Sequence, residues 1–289
     1  MVYFLYTLTA IFSRTESTLG KFNGRKNASP AIFNLSKTAT ALLLSFVICI
    51  FSGLVFHSKT LLFSVIYGIS MAASMYCGLM ALATGPMAVA SVIASFSLIL
   101  PVGYGLIWLG ESLSTFGIIG LILLPVSIVM LNLKKGGKKI KPVCWVYSFL
   151  TLFANGICSI VQKEHQTRFP GEYKYEFMLF GMAAAFLLFV LLSALQRRNE
   201  DAVSKGGGIG LIKISLIFGL VGGACNCGAN LLTLYLASAE NASILFPVIS
   251  AANAVLSCLI GRVIFKEKLS FIQIISIALG ISSVVMLKI

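Results

Sequence analysis

Ten long apolar stretches, separated by short polar breaks, make up almost all of this chain. They run approximately over residues 2–21, 35–56, 60–82, 86–108, 113–133, 143–162, 176–195, 209–237, 241–264 and 269–287. None shows the weak period-two alternation of a barrel strand, so each is expected to be helix. A hydrocarbon core of about 30 Å is crossed by about 20 helical residues. The pattern therefore predicts an all-α integral membrane protein of ten transmembrane helices. So little chain is left for connections that no extramembrane domain is expected.

The back ends of the two halves repeat one another. Glu111-Ser112-Leu113-Ser114 returns as Glu267-Lys268-Leu269-Ser270, and the same offset carries Gly105 onto Gly261 and Ser127 onto Ser283. At a slightly shorter offset Leu82-Ala83 matches Leu236-Ala237 and Gly68 matches Gly222. The fronts agree more weakly, with Ser17 on Ser159 and Lys21 on Lys163. The basic stretch Lys134–Pro142 divides the chain into a repeat over 1–133, a linker over 134–142 and a second repeat over 143–289. Five spans is an odd number, so the second repeat is expected to insert upside down relative to the first.

Composition agrees with this pattern. Apolar residues reach 58 % and charged residues only 11 %, where a soluble domain has roughly 45–50 % and 25 %. The net charge of +13 does not point to nucleic acid, because the basic residues lie between spans. Sixteen lysines and arginines fall on one side, among them Lys21, Lys37 and Lys134, against five on the other, among them Lys59, Lys163 and Lys174. The richer side is expected to face the cytoplasm of a plasma membrane, leaving both termini outside. The N-terminal run lacks a basic leader and a cleavage site and reads as a first span. The seven cysteines sit in or beside apolar runs, and their spacing suggests neither disulfide nor metal.

Several of these segments carry a family resemblance. They are Gly85-Pro86 with Ala88 through Leu100, Gly110-Glu111, Phe246-Pro247 through Gly261, Phe265 through Ser270, and Gly280. The chain resembles the drug/metabolite transporter superfamily, specifically its EamA-type members with ten helices. Each half is also similar to a small-multidrug-resistance subunit, including Leu19-Gly20-Lys21-Phe22. The resemblance implies a carrier of amino acids, sugars, quaternary amines or drugs, often an exporter of amino acids or related metabolites. Where those small subunits carry a proton-coupling glutamate on helix one, this chain has Ser13 and Asn155. That mechanism does not transfer directly.

Candidate site residues come from polar groups at membrane depth. Arg14, Glu16 and Ser17 interrupt the first span near its middle, where a charge costs roughly 3 kcal/mol and normally faces a cavity or a partner. Arg14 and Glu16 are two apart and cannot pair along one helix. They line a pathway, or else the helix is shifted so that they reach the interface. Asn226 and Asn230 share a face of the eighth span and need hydrogen-bond partners, from a ligand or from a neighbouring helix. The repeat aligns Tyr76 with Asn230, suggesting that the two oppose each other. Ser95 and Asn253 belong to polar stripes on the fourth and ninth spans, and ordinary helix packing accounts for them equally well. Pro101 and Pro247 are expected to kink those helices.

Other polar residues read as structural. Glu111 and Glu267 precede the fifth and tenth spans and suit the positive ends of those helices. Lys21 and Lys163 are expected to snorkel, and His165 to sit in a solvated loop.

A secondary transporter of a small metabolite follows, working by alternating access at a central site and coupled to protons through Glu16. A membrane-embedded enzyme has too few acidic and histidine groups, and a channel lacks a charged ring or filter. No cofactor or metal is expected. The partners expected are lipid and solute, with the chain a monomer or weak homodimer.

Overall fold

The computed structural model describes residues 2–26, 28–84, 93–132, 142–199, 209–264 and 271–288. Ten α-helices fill them: α1 (Val2–Arg25), α2 (Pro30–Ser52), α3 (Ser58–Thr84), α4 (Ile99–Ile107), α5 (Thr115–Asn132), α6 (Pro142–Arg168), α7 (Lys174–Asn199), α8 (Ile209–Ala239), α9 (Ala242–Val263) and α10 (Phe271–Lys288). The Lys134–Lys141 part of the linker, the Gly85–Pro86 motif and the second copy Glu267–Ser270 lie outside the described residues.

Five stretches among the described residues are long and apolar enough to cross a bilayer: 30–52, 58–78, 142–168, 174–191 and 210–239. The 31 residues of α8 reach about 46 Å at roughly 1.5 Å per residue, well beyond a hydrocarbon core of about 30 Å. Helix α1 has the length, at 24 residues, but its polar run keeps it off that list. The protein is an all-α membrane protein. Its outer face bears this out, because Tyr3, Phe4, Phe51, Ile107, Trp108 and Leu187 are all exposed, a dense apolar surface that water would not tolerate.

Local signals set the helix limits. Ser29 accepts a hydrogen bond from the Ile32 N–H and Pro30 occupies the first turn of α2, a standard start. Upstream of Pro101 the helix tightens into a 3-10 turn at Phe96–Leu98, next to the carbonyl one turn back that a proline ring displaces. Pro247 lies inside α9.

The main helix pairings are α3 with α6 and α7, α8 with α1 and α2, α2 with α7, α4 with α6, α9 with α1, α4 with α9, and α5 with α10. Replacing each helix by the one five places along turns this set into itself. The contacts of α9 with α10 and of α6 with α8 have no counterpart of comparable extent among the described residues. Small residues permit the closest approaches. A Cβ on Gly223 would fall 2.4 Å from the Lys37 carbonyl oxygen, and one on Gly228 would fall 2.8 Å from the Phe12 ring. Helix α8 is thereby pressed against α1 and α2, carrying Asn226 toward the charges of α1.

Candidate functional site

Helix α1 is wedged between α8, α9 and α2, so its polar run has protein around it. Arg14 and Glu16 leave the helix in different directions, as their spacing requires. Arg14 Nε donates to Asn253 Oδ1 on α9 at 3.0 Å. Glu16 Oε1 accepts from Lys37 Nζ on α2 at 2.7 Å, and its other oxygen accepts from Asn226 Nδ2 on α8 at 3.0 Å. The lysine and glutamate side chains are only 9 % and 19 % exposed. Gly222 lies alongside, where a Cβ would make ordinary van der Waals contact with the Phe33 ring and the Glu16 Cγ.

From Asn226 the polar chain continues. Asn230 Nδ2 donates to the Asn226 carbonyl at 2.9 Å and to its Oδ1 at 3.3 Å. Asn230 Oδ1 in turn accepts from the Tyr67 hydroxyl at 2.8 Å and from Gln162 Nε2 at 3.2 Å. Five helices, α2, α1, α8, α3 and α6, are thus joined by side-chain hydrogen bonds through the body of the protein. Each buried amide is satisfied, which is what makes such a network tolerable in a low-dielectric interior.

The predicted residues are only partly gathered here. Arg14, Glu16, Asn226, Asn230 and Asn253 form the chain and its Arg14 branch. Ser17 is exposed and donates to the carbonyl of Ser13 in its own helix. Tyr76 and Ser95 are half-buried, on α3 and on the turn before the 3-10 segment. The tyrosine that meets Asn230 is Tyr67, nearer the start of α3 where that helix packs on α6 and α7. Asn155, matched to the small subunits' glutamate, accepts from Ser74 Oγ at 2.5 Å and acts as an ordinary α3–α6 tie.

Lys37, Tyr67 and Gln162 were not anticipated. Lys37 reads in the sequence as a loop charge, yet it is buried two turns into α2. The available signal was its stripe, because Asn34, Lys37, Thr38, Ala41 and Ser45 follow helical spacing and are all buried. Tyr67 and Gln162 had no local signal, since a single tyrosine or glutamine in an apolar helix is commonplace.

A second polar cluster joins the two halves at the α8–α9 turn; this cluster and the burial of His165 correct three expectations. Lys163 does not snorkel. Its Nζ donates to the carbonyls of Ala237 at 3.1 Å and Glu240 at 2.6 Å, ending α8, and lies 3.9 Å from Glu111 Oε1. Glu111 caps α9, where the Ala242 and Ser243 N–H groups donate to its two oxygens at 2.7 and 2.8 Å. Asn241 stands at the cap position with no side-chain bond to the helix. Gly110, at φ +66°, turns the chain so that Glu111 can point back, a conformation side chains disfavour. His165 is fully buried, 3.2 Å from Thr60 Oγ1 and packed against Phe177. Glu164, on the same helix, accepts from the Tyr104 hydroxyl of α4 and from Arg168.

Charge is unequal between the halves. The offset that places Lys21 on Lys163 places Arg14 on Gly156 and Glu16 on Cys158. Gly156 is packed hard against α4, with a would-be Cβ 2.2 Å from Leu100 Cδ1. Where α6 meets α4 through a glycine, α1 meets α9 through the Arg14–Asn253 bond. Among the described residues no group of His, Cys, Asp and Glu is placed to hold a metal ion.

A family model described as the EamA-like transporter family matches residues 142–289. Among solved structures, one described only as "crystal structure of protein" superposes with a TM-score of 0.75 at 19 % identity. The match covers 99 % of this chain and 97 % of that one, and it speaks to the fold alone. Among curated proteins none matches the chain.

Proposed function

The chain belongs to the EamA-like transporter family, and from that premise we propose that it is a secondary active exporter of a small metabolite, an amino acid or a related compound. The solute is held at a central site between two inverted five-helix halves and is exposed to each side of the plasma membrane in turn. Three things support the halves being inverted repeats: the copied sequence segments, the odd number of helices in each, and the exchange of helix pairings described above.

The observation that carries the reading is the polar chain from Lys37 through Glu16, Asn226 and Asn230 to Tyr67 and Gln162. A structural tie between two helices needs one or two such bonds. Five helices contributing to one continuous polar seam, with an ion pair in it, suits a path that a polar solute follows across lipid. Arg14, Glu16, Asn226, Asn230 and Asn253 are the solute contacts we assign, with Ser17, Tyr76 and Ser95 along the approaches. Glu16 couples protons by exchanging Lys37 for a proton as the solute leaves. In this reading the protein is a carrier and not an enzyme, in keeping with its family, and acts as a monomer or weak homodimer in the bilayer.

Proteoliposomes loaded with a mixture of labelled amino acids and their 2-oxo and 2-hydroxy analogues test this. Saturable counterflow is expected, driven by a pH gradient in the parent protein and insensitive to it in Glu16→Gln. Unsaturable flux would reject the carrier, and unchanged pH dependence in the variant would reject the coupling.

A further inference from the structure

We propose that a slot between α4 and α5 is a binding site for one acyl chain of a bilayer phospholipid, seated as a wedge between the two helices.

The slot encloses about 410 Å3. Leu98, Val102, Gly103 and Leu106 form one wall, and Leu121 and Pro125 belong to the other. No side chain that lines it carries a polar atom. Its floor reaches the core, because Leu98 and Val102 are buried and pack with Leu124 and Ile128 of α5 and Ala251 of α9. Its rim is open, since Ile99 and Ile122, which also line it, are more than half exposed.

The second half shows that this slot is particular to the first. There α9 and α10 pack directly, whereas α4 and α5 lack a contact of that extent among the described residues. The offset that places Gly105 on Gly261 places Gly103 on Leu259 and Pro125 on Ile281. A Cβ built on Gly103 would meet nothing within 4 Å. Glycine thus leaves space at the position where the other half carries a leucine.

The occupant follows from where the slot opens. An apolar cavity stays dry and takes up apolar molecules, while a polar solute or headgroup would lose its hydrogen bonds there. The rim lies on the lipid-facing surface, where Ile118, one turn before Ile122 on α5, is exposed as well. Acyl chains reach that rim at the concentration of a solvent, so even a weak site is filled. The volume falls within the roughly 300–1,000 Å3 of a small-molecule site. A chain seated down to Val102 therefore enters the protein and does not merely lie along it. Helix α4 also packs on α6 and α9, so the wedge steadies a first-half helix that holds the second half.

Photo-labelling of the full chain tests the proposal, in phosphatidylcholine vesicles containing a phospholipid with a diazirine near the end of one acyl chain. Adducts are expected on residues 98–106 and 121–125, severalfold denser than at Leu43 and Leu187, which are exposed near the middle of α2 and α7. Gly103→Leu fills the slot with the side chain that the second half already has. It should lower the slot adducts severalfold and leave those at Leu43 and Leu187 unchanged. Gly103→Ala improves helix propensity but adds only one methyl group, so it should melt higher than the parent and keep most of the labelling. Added phosphatidylcholine should raise the melting temperature of the detergent-solubilised parent more than that of Gly103→Leu. Should Gly103→Leu fail to fold, the ratio of adducts in the parent decides alone. Labelling no denser in the slot than at Leu43, or unchanged in a folded Gly103→Leu, overturns the site. Displacement of the label by excess water-soluble amino acids overturns it too, by giving the slot to a solute. A slot left unlabelled, as a face covered by a second copy of the chain would be, has the same consequence.

Discussion

Lys37 Nζ and Glu16 Oε1 lie 2.7 Å apart, joining α2 to α1 across a space where both side chains are almost wholly covered. The pair is not isolated, because Asn226 holds the second oxygen of the carboxylate. Burying two charges is worthwhile only when geometry and extra hydrogen bonds repay their desolvation, and here both conditions are met. The carboxylate is therefore fixed between a removable cation and a permanent amide.

This arrangement makes the two halves of the pair unequal to mutation. Lys37→Met leaves Glu16 buried with only the Asn226 amide and should cost about 3 kcal/mol. The double variant Lys37→Met, Glu16→Gln keeps an acceptor for Asn226 and removes both charges, so much of that loss should return. Thermal unfolding in detergent reads the difference. A double variant less stable than Lys37→Met alone would show that the pair is not the unit we describe.

Asn230 Oδ1 receives two donors, Tyr67 at 2.8 Å and Gln162 at 3.2 Å. Tyr67→Phe should cost only about 1 kcal/mol, because Gln162 still satisfies the oxygen. Adding Gln162→Leu leaves a buried carbonyl with no donor and should cost more than the two single losses together. The same melting experiment gives the cycle, and strict additivity would sever Asn230 from the seam.

The fold was legible because lipid permits few alternatives: long apolar runs had to be helices, and the copied Glu111 and Glu267 segments marked two units. The polar residues of α1, α8 and α9 were legible for the same reason, since Arg14, Glu16, Asn226 and Asn253 are expensive where they stand. Their partners were not. Lys37 reads as a loop cation until α2 is seen to begin at Pro30, and nothing in the chain says that Tyr67 and not Tyr76 faces Asn230. Glu111 shows the limit most plainly. A carboxylate before a helix reads as that helix's cap, yet this one caps α9, 131 residues on. Local sequence names the chemistry of a side chain, while packing of distant helices selects its partner.

Close packing of α2 on α8 makes a separate claim. A Cβ on Gly219 would stand 1.6 Å from Ser36 Oγ and 2.8 Å from both Ser36 Cβ and the Phe33 carbonyl oxygen. Gly219→Ala should therefore destabilise by about 1–3 kcal/mol through overpacking. Combining it with Ser36→Gly removes two of the three clashes but not the backbone one, so recovery should be partial. Full recovery, or no loss in the single variant, would mean that the helices can separate freely here.

The α8–α9 turn depends on Glu111, and Glu111 depends on Gly105. A Cβ at Gly105 would come within 2.5 Å of Glu111 Oε2 and 3.1 Å of the Ala242 Cβ, so Gly105→Ala must push the carboxylate off the start of α9. Glu111→Ala removes the same carboxylate, depriving the Ala242 and Ser243 N–H groups of their acceptor and Lys163 of one of its two nearby carboxylates. Loss of a helix cap costs about 1 kcal/mol, and the lysine's loss of one carboxylate adds to it. Since both variants act by taking one carboxylate from one place, their effects should not add. Glu111→Ala, Gly105→Ala should melt close to Glu111→Ala itself, because the new methyl group then meets the space that the carboxylate vacated. A double variant showing the full sum of the two single losses would mean that Gly105 is needed for something other than seating Glu111.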